Sequence, residues 1–161
     1  MSERIDKANY YLDIAETVLE RGTCLRRNYG AVIVKNDEIV STGYTGSPRG
    51  CVNCIDKGVC FRDELKIPQN TGYDKCRSVH AEMNAIISAP RRDMIDATIY
   101  LVGKMKRDGT YAENVEPCLI CRRLIINAGI KTVVVRRDKT HYETFCVNEK
   151  YVRNDSSLFN Q

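Results

Sequence analysis

His80-Ala81-Glu82 and Pro117-Cys118-Leu119-Ile120-Cys121 gather one imidazole, one carboxylate and two thiols into two short motifs. An imidazole and two thiolates are donors that zinc prefers. Three protein ligands leave a fourth position open for water, as catalytic zinc sites do and closed structural sites do not. Cys118 and Cys121 lie three apart at the start of an expected helix, so both sulfurs fall on one side of its first turn. The partial positive charge of a helix N-terminus favours the thiolate form that a metal requires. His80 and Glu82 are two apart and do not face each other along a helix. The set works only if the metal lies beyond the helix end, with two helix N-termini converging on it.

Zinc with two thiolates and a neutral imidazole is formally neutral and still acidifies a bound water. Glu82 would take the proton of that water and deliver it to a substrate. As a fourth ligand Glu82 would close the site and end this chemistry. A structural Cys₂His site and a redox Cys-x-x-Cys pair are the competing readings. The first lacks an obvious local fourth ligand, and the second leaves His80-Ala81-Glu82 without a purpose.

Several elements must position these residues. Ile5, Ala8, Leu12, Ala15 and Leu19 recur at helical spacing, which predicts a helix from Glu3 to about Arg21, with Ser2 as N-cap and Gly22 past its end. Ala31 to Lys35 and Glu38 to Thr42 are β-rich runs around Asn36-Asp37, a hairpin signal. Gly43 to Tyr73 holds most of the Gly, Pro and Cys and reads as a long irregular segment, usually functional or tied down in a small domain. A helix is expected from Val79 to Ala89, stopped by Pro90, then a strand from Ala97 to Val102 and a polar insertion from Gly103 to Val115. Pro117 to Ala128 has Pro at its start and Gly129 at the C′ position, and Ile130 to Arg136 reads as a strand buried on both faces. This alternation points to a layered α/β domain with parallel pairing over residues 1–153, followed by a loose tail over 154–161.

Composition narrows the class. The 161 residues are long enough for one core, and no apolar run approaches a bilayer span. The N-terminus lacks the apolar segment of a signal peptide, so a cytoplasmic protein without a membrane partner is expected. Eight cysteines in that compartment argue for metal binding or inert burial over disulfides. The net charge of +4 is spread over arginine doublets, which disfavours a long nucleic-acid footprint and suits a few arginines around a small phosphate.

With these motifs the chain resembles the cytidine and deoxycytidylate deaminase superfamily, and within it the dCMP deaminase branch. The pattern H-x-E…P-C-x-x-C is the zinc nucleobase-deaminase signature. His80-Ala81-Glu82-Met83-Asn84-Ala85-Ile86 resembles that branch's zinc-binding helix, and Gly30-Ala31-Val32-Ile33-Val34 its first core strand. Gly43-Tyr44-Thr45-Gly46-Ser47-Pro48-Arg49-Gly50 is similar to its glycine-rich loop. The resemblance implies a three-layer α/β/α fold with a mixed five-stranded sheet, and hydrolytic deamination of a pyrimidine at C4, of dCMP in particular. Glu82 is then the catalytic residue and His80, Cys118 and Cys121 the zinc ligands.

The same resemblance suggests Arg26 and Arg91 for the phosphate, Asn28 for the sugar and Asn84 for orienting the loop. It makes Gly43, Tyr44, Thr45 and Gly46 a candidate effector loop for dCTP and dTTP, although the family's usual asparagine is here Thr45. The 103–116 stretch is longer than usual and should border the site mouth. Cys51, Cys54, Cys60 and Cys76 are candidates for a second, structural zinc, with Cys24 as a substitute for one of them; a homo-oligomer is implied too. Rival functions are deamination of another nucleoside or base (cytidine, deoxycytidine, guanine), a tRNA adenosine deaminase, and a non-catalytic nucleotide-binding or DNA-uptake accessory module. The intact Glu82 argues against the last.

Overall fold

The computed structural model describes residues 3–69 and 71–159. A helix, α1 (Lys7–Leu19), precedes the hairpin β1 (Arg27–Lys35) and β2 (Glu38–Tyr44). Two short helices follow, α2 (Cys54–Lys57) and α3 (Phe61–Glu64), then α4 (Ala81–Ile87), α5 (Arg91–Met94), β3 (Thr98–Met105), α6 (Leu119–Ala128), β4 (Thr132–Arg136) and β5 (Tyr142–Cys146). The strands form one five-stranded sheet in the order β2-β1-β3-β4-β5. Only β3 and β4 pair in parallel, joined through α6; the other pairs are antiparallel. The sheet is therefore mixed.

Period-two burial divides the core between the two faces. Ala31, Ile33, Ile99, Leu101, Val133 and Val135 pack with Ala81, Ala85 and Ile125, beneath α4 and α6. Val32, Val34, Val102 and Val134 pack with Leu12, Ala15 and Leu19 of α1 on the other face. Asn36 and Asp37 both take positive φ, the conformation a two-residue hairpin turn demands. α6 ends at Gly129 with φ 85°, the left-handed stop that the sequence signalled.

Several expectations need correction. α1 begins at Lys7, where the Asp6 carboxylate accepts the Asn9 N–H; Ser2 lies outside the described residues. The long segment after β2 contains the turns of α2 and α3 and is tied down at both ends. β5 was not foreseen, because it is an edge strand with three of its five residues exposed. The end of the chain is not a loose tail up to Phe159. Asp155–Leu158 forms a 3₁₀ turn, Leu158 is buried in the core, and Arg123 lies over the Phe159 ring. A π-helical turn, Asn148–Val152, buries Tyr151 completely.

One charged group is locked inside. Arg136 on β4 is fully buried and bonds Asp13 at 2.7 Å and Glu16 at 2.8 Å, both on α1, and the Asn9 side chain at 3.0 Å. Glu16 also meets Lys104 and the Tyr111 hydroxyl. Burial pushes the Glu16 carboxyl up, but its bonds to Lys104, Arg136 and Tyr111 outweigh that and hold it below the usual range. Removing one member of such a set leaves an uncompensated charge. Arg136→Met is expected to lower stability by about 3–5 kcal/mol in urea unfolding; a loss below about 1 kcal/mol would show that the network does not clamp α1 to the sheet.

Candidate metal centre and active-site cavity

His80 is the N-cap of α4 and Cys118 the N-cap of α6, both in extended backbone conformation. The two helices lie side by side on one face of the sheet, so their first turns meet. Gly43 on β2 makes that approach possible. A Cβ there would stand 2.3 Å from the Ala81 carbonyl and 2.4 Å from the Ala85 nitrogen, so any side chain would push α4 away. The Ser41 hydroxyl donates to the Ala85 carbonyl at 2.6 Å, and Gly46 bridges to Val79, fixing the chain just before His80.

His80 Nδ1 lies 3.4 Å from Cys118 Sγ and 3.4 Å from Cys121 Sγ. Donors tetrahedrally arranged around one zinc stand about 3.5 Å apart for nitrogen and sulfur. The residues fit the metal, and they form the single group of three or more such donors close enough to share an ion among the described residues. Hydrogen bonding from Cys121 and from His80 brings the Cys118 thiol down to about 4, against the opposing effect of burial. The bond with Cys118, together with burial, pushes the Cys121 thiol up. The Cys118 partner in turn raises the His80 imidazole.

Glu82, in the first turn of α4, is 5 % exposed. Burial pushes its carboxyl up, favouring a group that can hold a proton. It lines the same cavity as His80 and Cys118, a space of about 320 Å³. The 103–116 insertion borders this cavity through Glu113, Asn114 and Val115, as its position predicted.

The remaining expected residues divide. Arg26 and Thr45 line the cavity; Arg26 faces Asp63 at 3.5 Å, and the Thr45 hydroxyl accepts the Tyr29 N–H at 3.0 Å. Asn28 is buried and spends its amide on both backbone groups of Cys24, so it shapes the turn that carries Arg26 rather than reaching a sugar. Asn84 donates to the Tyr44 carbonyl at 2.8 Å, at the glycine-rich loop. Arg91 is a correction. It follows the C-terminal end of α4, away from His80, and its Nε bonds the Asn127 carbonyl at 2.9 Å at the far end of α6. The resemblance that suggests Arg91 does not by itself say which end of α4 the residue occupies. In the candidate effector loop, Gly43 and Gly46 serve packing and bridging, and Tyr44 is exposed. Cys51 is exposed, whereas Cys54 is buried with Cys24, Cys76 and Cys60 as its thiol neighbours, and burial raises its thiol.

The motif gave no hint of what braces it. Arg122 Nε donates to the Pro117 carbonyl at 2.8 Å, and its guanidinium pairs with Glu116 at 3.2 Å and lies over the Tyr151 ring. The Tyr151 hydroxyl donates to the same carboxylate. Glu116 immediately precedes Pro117-Cys118, so the C-terminal turn bolts the thiolate loop in place. The signal was nonlocal and could not be read from spacing.

An α/β/α domain whose helix starts present one imidazole and two thiols around a buried glutamate is a zinc-binding domain of catalytic type. Residues 5–137 match the family described as cytidine and deoxycytidylate deaminase zinc-binding region, and the chain belongs to that family. It is 34% identical over 140 residues to the deoxycytidylate deaminase of Mycobacterium phage D29, covering 84% of this chain and 98% of that protein. It is 35% identical to ComE operon protein 2 of Bacillus subtilis, over 86% of this chain and 64% of the other. The deoxycytidylate deaminase of Schizosaccharomyces pombe is 32% identical, but this chain spans only 35% of its length. Among solved structures, the dCMP deaminase of cyanophage S-TIM5 in complex with dCMP and dUMP aligns with a TM-score of 0.54 at 22% identity, over 83% of this chain and 84% of that one. Cytidine deaminase of Burkholderia pseudomallei aligns at 0.55 with 17% identity, over 92% and 95%. These likenesses in structure show the fold. No helix among the described residues is long and apolar enough to cross a membrane.

Cys121→Ala is expected to lose one zinc per chain by metal analysis. A variant that keeps the wild-type metal content would remove Cys121 from the ligand set.

Proposed function

We propose that the chain catalyses hydrolytic deamination of dCMP to dUMP and ammonia, with Glu82 as the proton-transfer group and His80, Cys118 and Cys121 as the zinc ligands. The observation that carries this reading is a buried carboxylate at the same cavity wall as a fitted His-Cys-Cys donor set. The dCMP substrate is favoured by the deoxycytidylate deaminases among the relatives and by the arginines on the cavity wall.

Bound zinc supplies acidification of water and Lewis-acid polarisation. The protein's own residues do the rest. Glu82, off the metal, accepts a proton from the attacking water and hands it to N3 as the water oxygen bonds to C4. It then carries the second proton to the amino group, the C4–N bond breaks, and ammonia leaves. Water and dCMP are thereby balanced by dUMP and ammonia, and Glu82 returns to its starting state. Tyr29 and Pro117 help to wall the cavity, and Arg122 with Glu116 keeps the Pro117 carbonyl and the following thiolate from shifting as charge develops.

The eight free cysteines suit a reducing cytoplasm. A second, structural zinc at Cys51, Cys54, Cys60 and Cys76, or with Cys24 in place of one of them, gains no support, since His80, Cys118 and Cys121 are the one donor group among the described residues close enough to share an ion. A homo-oligomer is proposed from the apolar side chains left exposed on α4 and α6, Ile87 at 74% and Ile120 and Leu124 beside the site. Control by dCTP or dTTP gains no support from Thr45, whose hydroxyl is committed to Tyr29.

Zinc-loaded protein is expected to release ammonia from dCMP and much less from deoxycytidine. Glu82→Ala should keep its zinc and lose turnover by at least about 100-fold. Ammonia from deoxycytidine alone would move the substrate to nucleosides. Nucleotide binding without ammonia would favour a non-catalytic accessory role. Sedimentation velocity on the same sample is expected to show more than one chain per particle; a monomer would remove the proposed interface.

A further inference from the structure

The turn Asn148–Val152 lies beyond the stretch that matches the deaminase family, yet it reaches back to the loop carrying Cys118. Three donors converge there on one oxygen. Glu116 Oε1 accepts the Tyr151 hydroxyl at 3.1 Å and pairs with Arg122 and with Lys150, each at 3.2 Å. Lys150 and Tyr151 belong to the same turn, so it supplies two of the three. The segment is anchored further on by Leu158, which packs in the core.

The three donors differ in stiffness. Lys150 carries its ammonium on a flexible, partly exposed stem. Tyr151 is fully buried, and the Arg122 guanidinium lies over its ring, 5.0 Å from the centre. A close-packed ring has little freedom to turn or shift. Its hydroxyl is therefore the rigid point against which the Glu116 carboxylate is located.

From Glu116 the link runs on through Arg122, whose Nε donates to the Pro117 carbonyl at 2.8 Å. That carbonyl shares a rigid peptide plane with the Cys118 nitrogen. Tethering it resists the rotation that would swing Cys118 away from its φ of −65°. The Cys118 sulfur is thereby kept at 3.4 Å from His80 Nδ1. Glu116, Pro117, Cys118 and Arg122 all line the cavity, whereas Tyr151 has no place on the wall that the described residues form. Tyr151 can reach the reaction only through them.

We propose that Tyr151 is a positioning residue for the deamination, its hydroxyl fixing Glu116 and, through Arg122 and the Pro117 carbonyl, the Cys118 sulfur. This rests on the deaminase reading and adds that a turn outside the family's zinc-binding region completes the site. Partners behind a metal ligand orient it, and their loss typically costs about 10- to 100-fold in metal affinity or activity. Because Tyr151 touches no part of the cavity, its effect falls on kcat and leaves KM alone.

The test compares full-length wild type, Tyr151→Phe, Glu116→Gln and the double variant, each loaded to one zinc per chain. It measures kcat and KM for dCMP, and the absorption spectrum after cobalt(II) replaces zinc. The thiolate charge-transfer and ligand-field bands report sulfur placement whether or not the protein turns over. Tyr151→Phe keeps the ring and is expected to lower kcat about 10-fold, with KM within about twofold of wild type and shifted cobalt bands. The double variant should lie within about twofold of Glu116→Gln, since the two residues act along one path. Additive losses, a loss carried by KM, or cobalt bands identical to wild type would overturn the proposal. So would unchanged kcat, a variant that cannot be loaded with zinc, or a loss equal to its unfolded fraction in thermal unfolding. Wild type inert toward dCMP would sink the deaminase reading instead, and the cobalt spectra would still decide whether Tyr151 places Cys118.

Discussion

The constraint on which the rest of the structure depends is that a nitrogen at the start of one helix and two sulfurs at the start of another must come within 3.4 Å. Neither helix could supply the set alone, since His80 and Glu82 are separated by too few residues to share a face. The sheet solves the problem by carrying α4 and α6 side by side with their first turns level. Gly43 permits the closest backbone approach, and the parallel β3-α6-β4 crossover sets the direction of the second helix. The imidazole and the two thiols then stand close enough to share one divalent cation.

Division of labour between the faces of the sheet follows from this. The face with α1 is closed by apolar packing and by the buried Arg136 network, and it has no part in the cavity. The other face carries the donors, while the irregular segments around it carry the residues that would meet substrate: the turn after α1, the stretch through α3 and Tyr73, and the 103–116 insertion. Rigid elements hold the reacting groups and loops hold selectivity, the usual arrangement when one chemistry serves several substrates.

The clustering of His80 with Cys118 and Cys121 was legible from sequence because zinc chemistry dictates both their types and their spacing. The hairpin at Asn36-Asp37, the stop at Gly129 and the two-faced burial of β4 were legible because turn geometry and period-two packing leave local marks. What escaped was nonlocal or directional. Arg91 was misjudged because proximity in sequence to α4 says nothing about which end of the helix it occupies. Glu116 and Tyr151 escaped because each gains its place at the site from a partner in a segment without periodicity. β5 escaped because an exposed edge strand needs no strong apolar pattern.

The central claim is a zinc held by three protein donors with Glu82 beside the metal and not on it. An anomalous difference map at the zinc edge, from crystals of the zinc-loaded protein with dUMP bound, tests it most directly. The account predicts a peak shared by His80 Nδ1, Cys118 Sγ and Cys121 Sγ, with the Glu82 carboxylate beyond coordination reach, which ends at about 2.2 Å. A peak with Glu82 inside that distance, or none between those three donors, would contradict it.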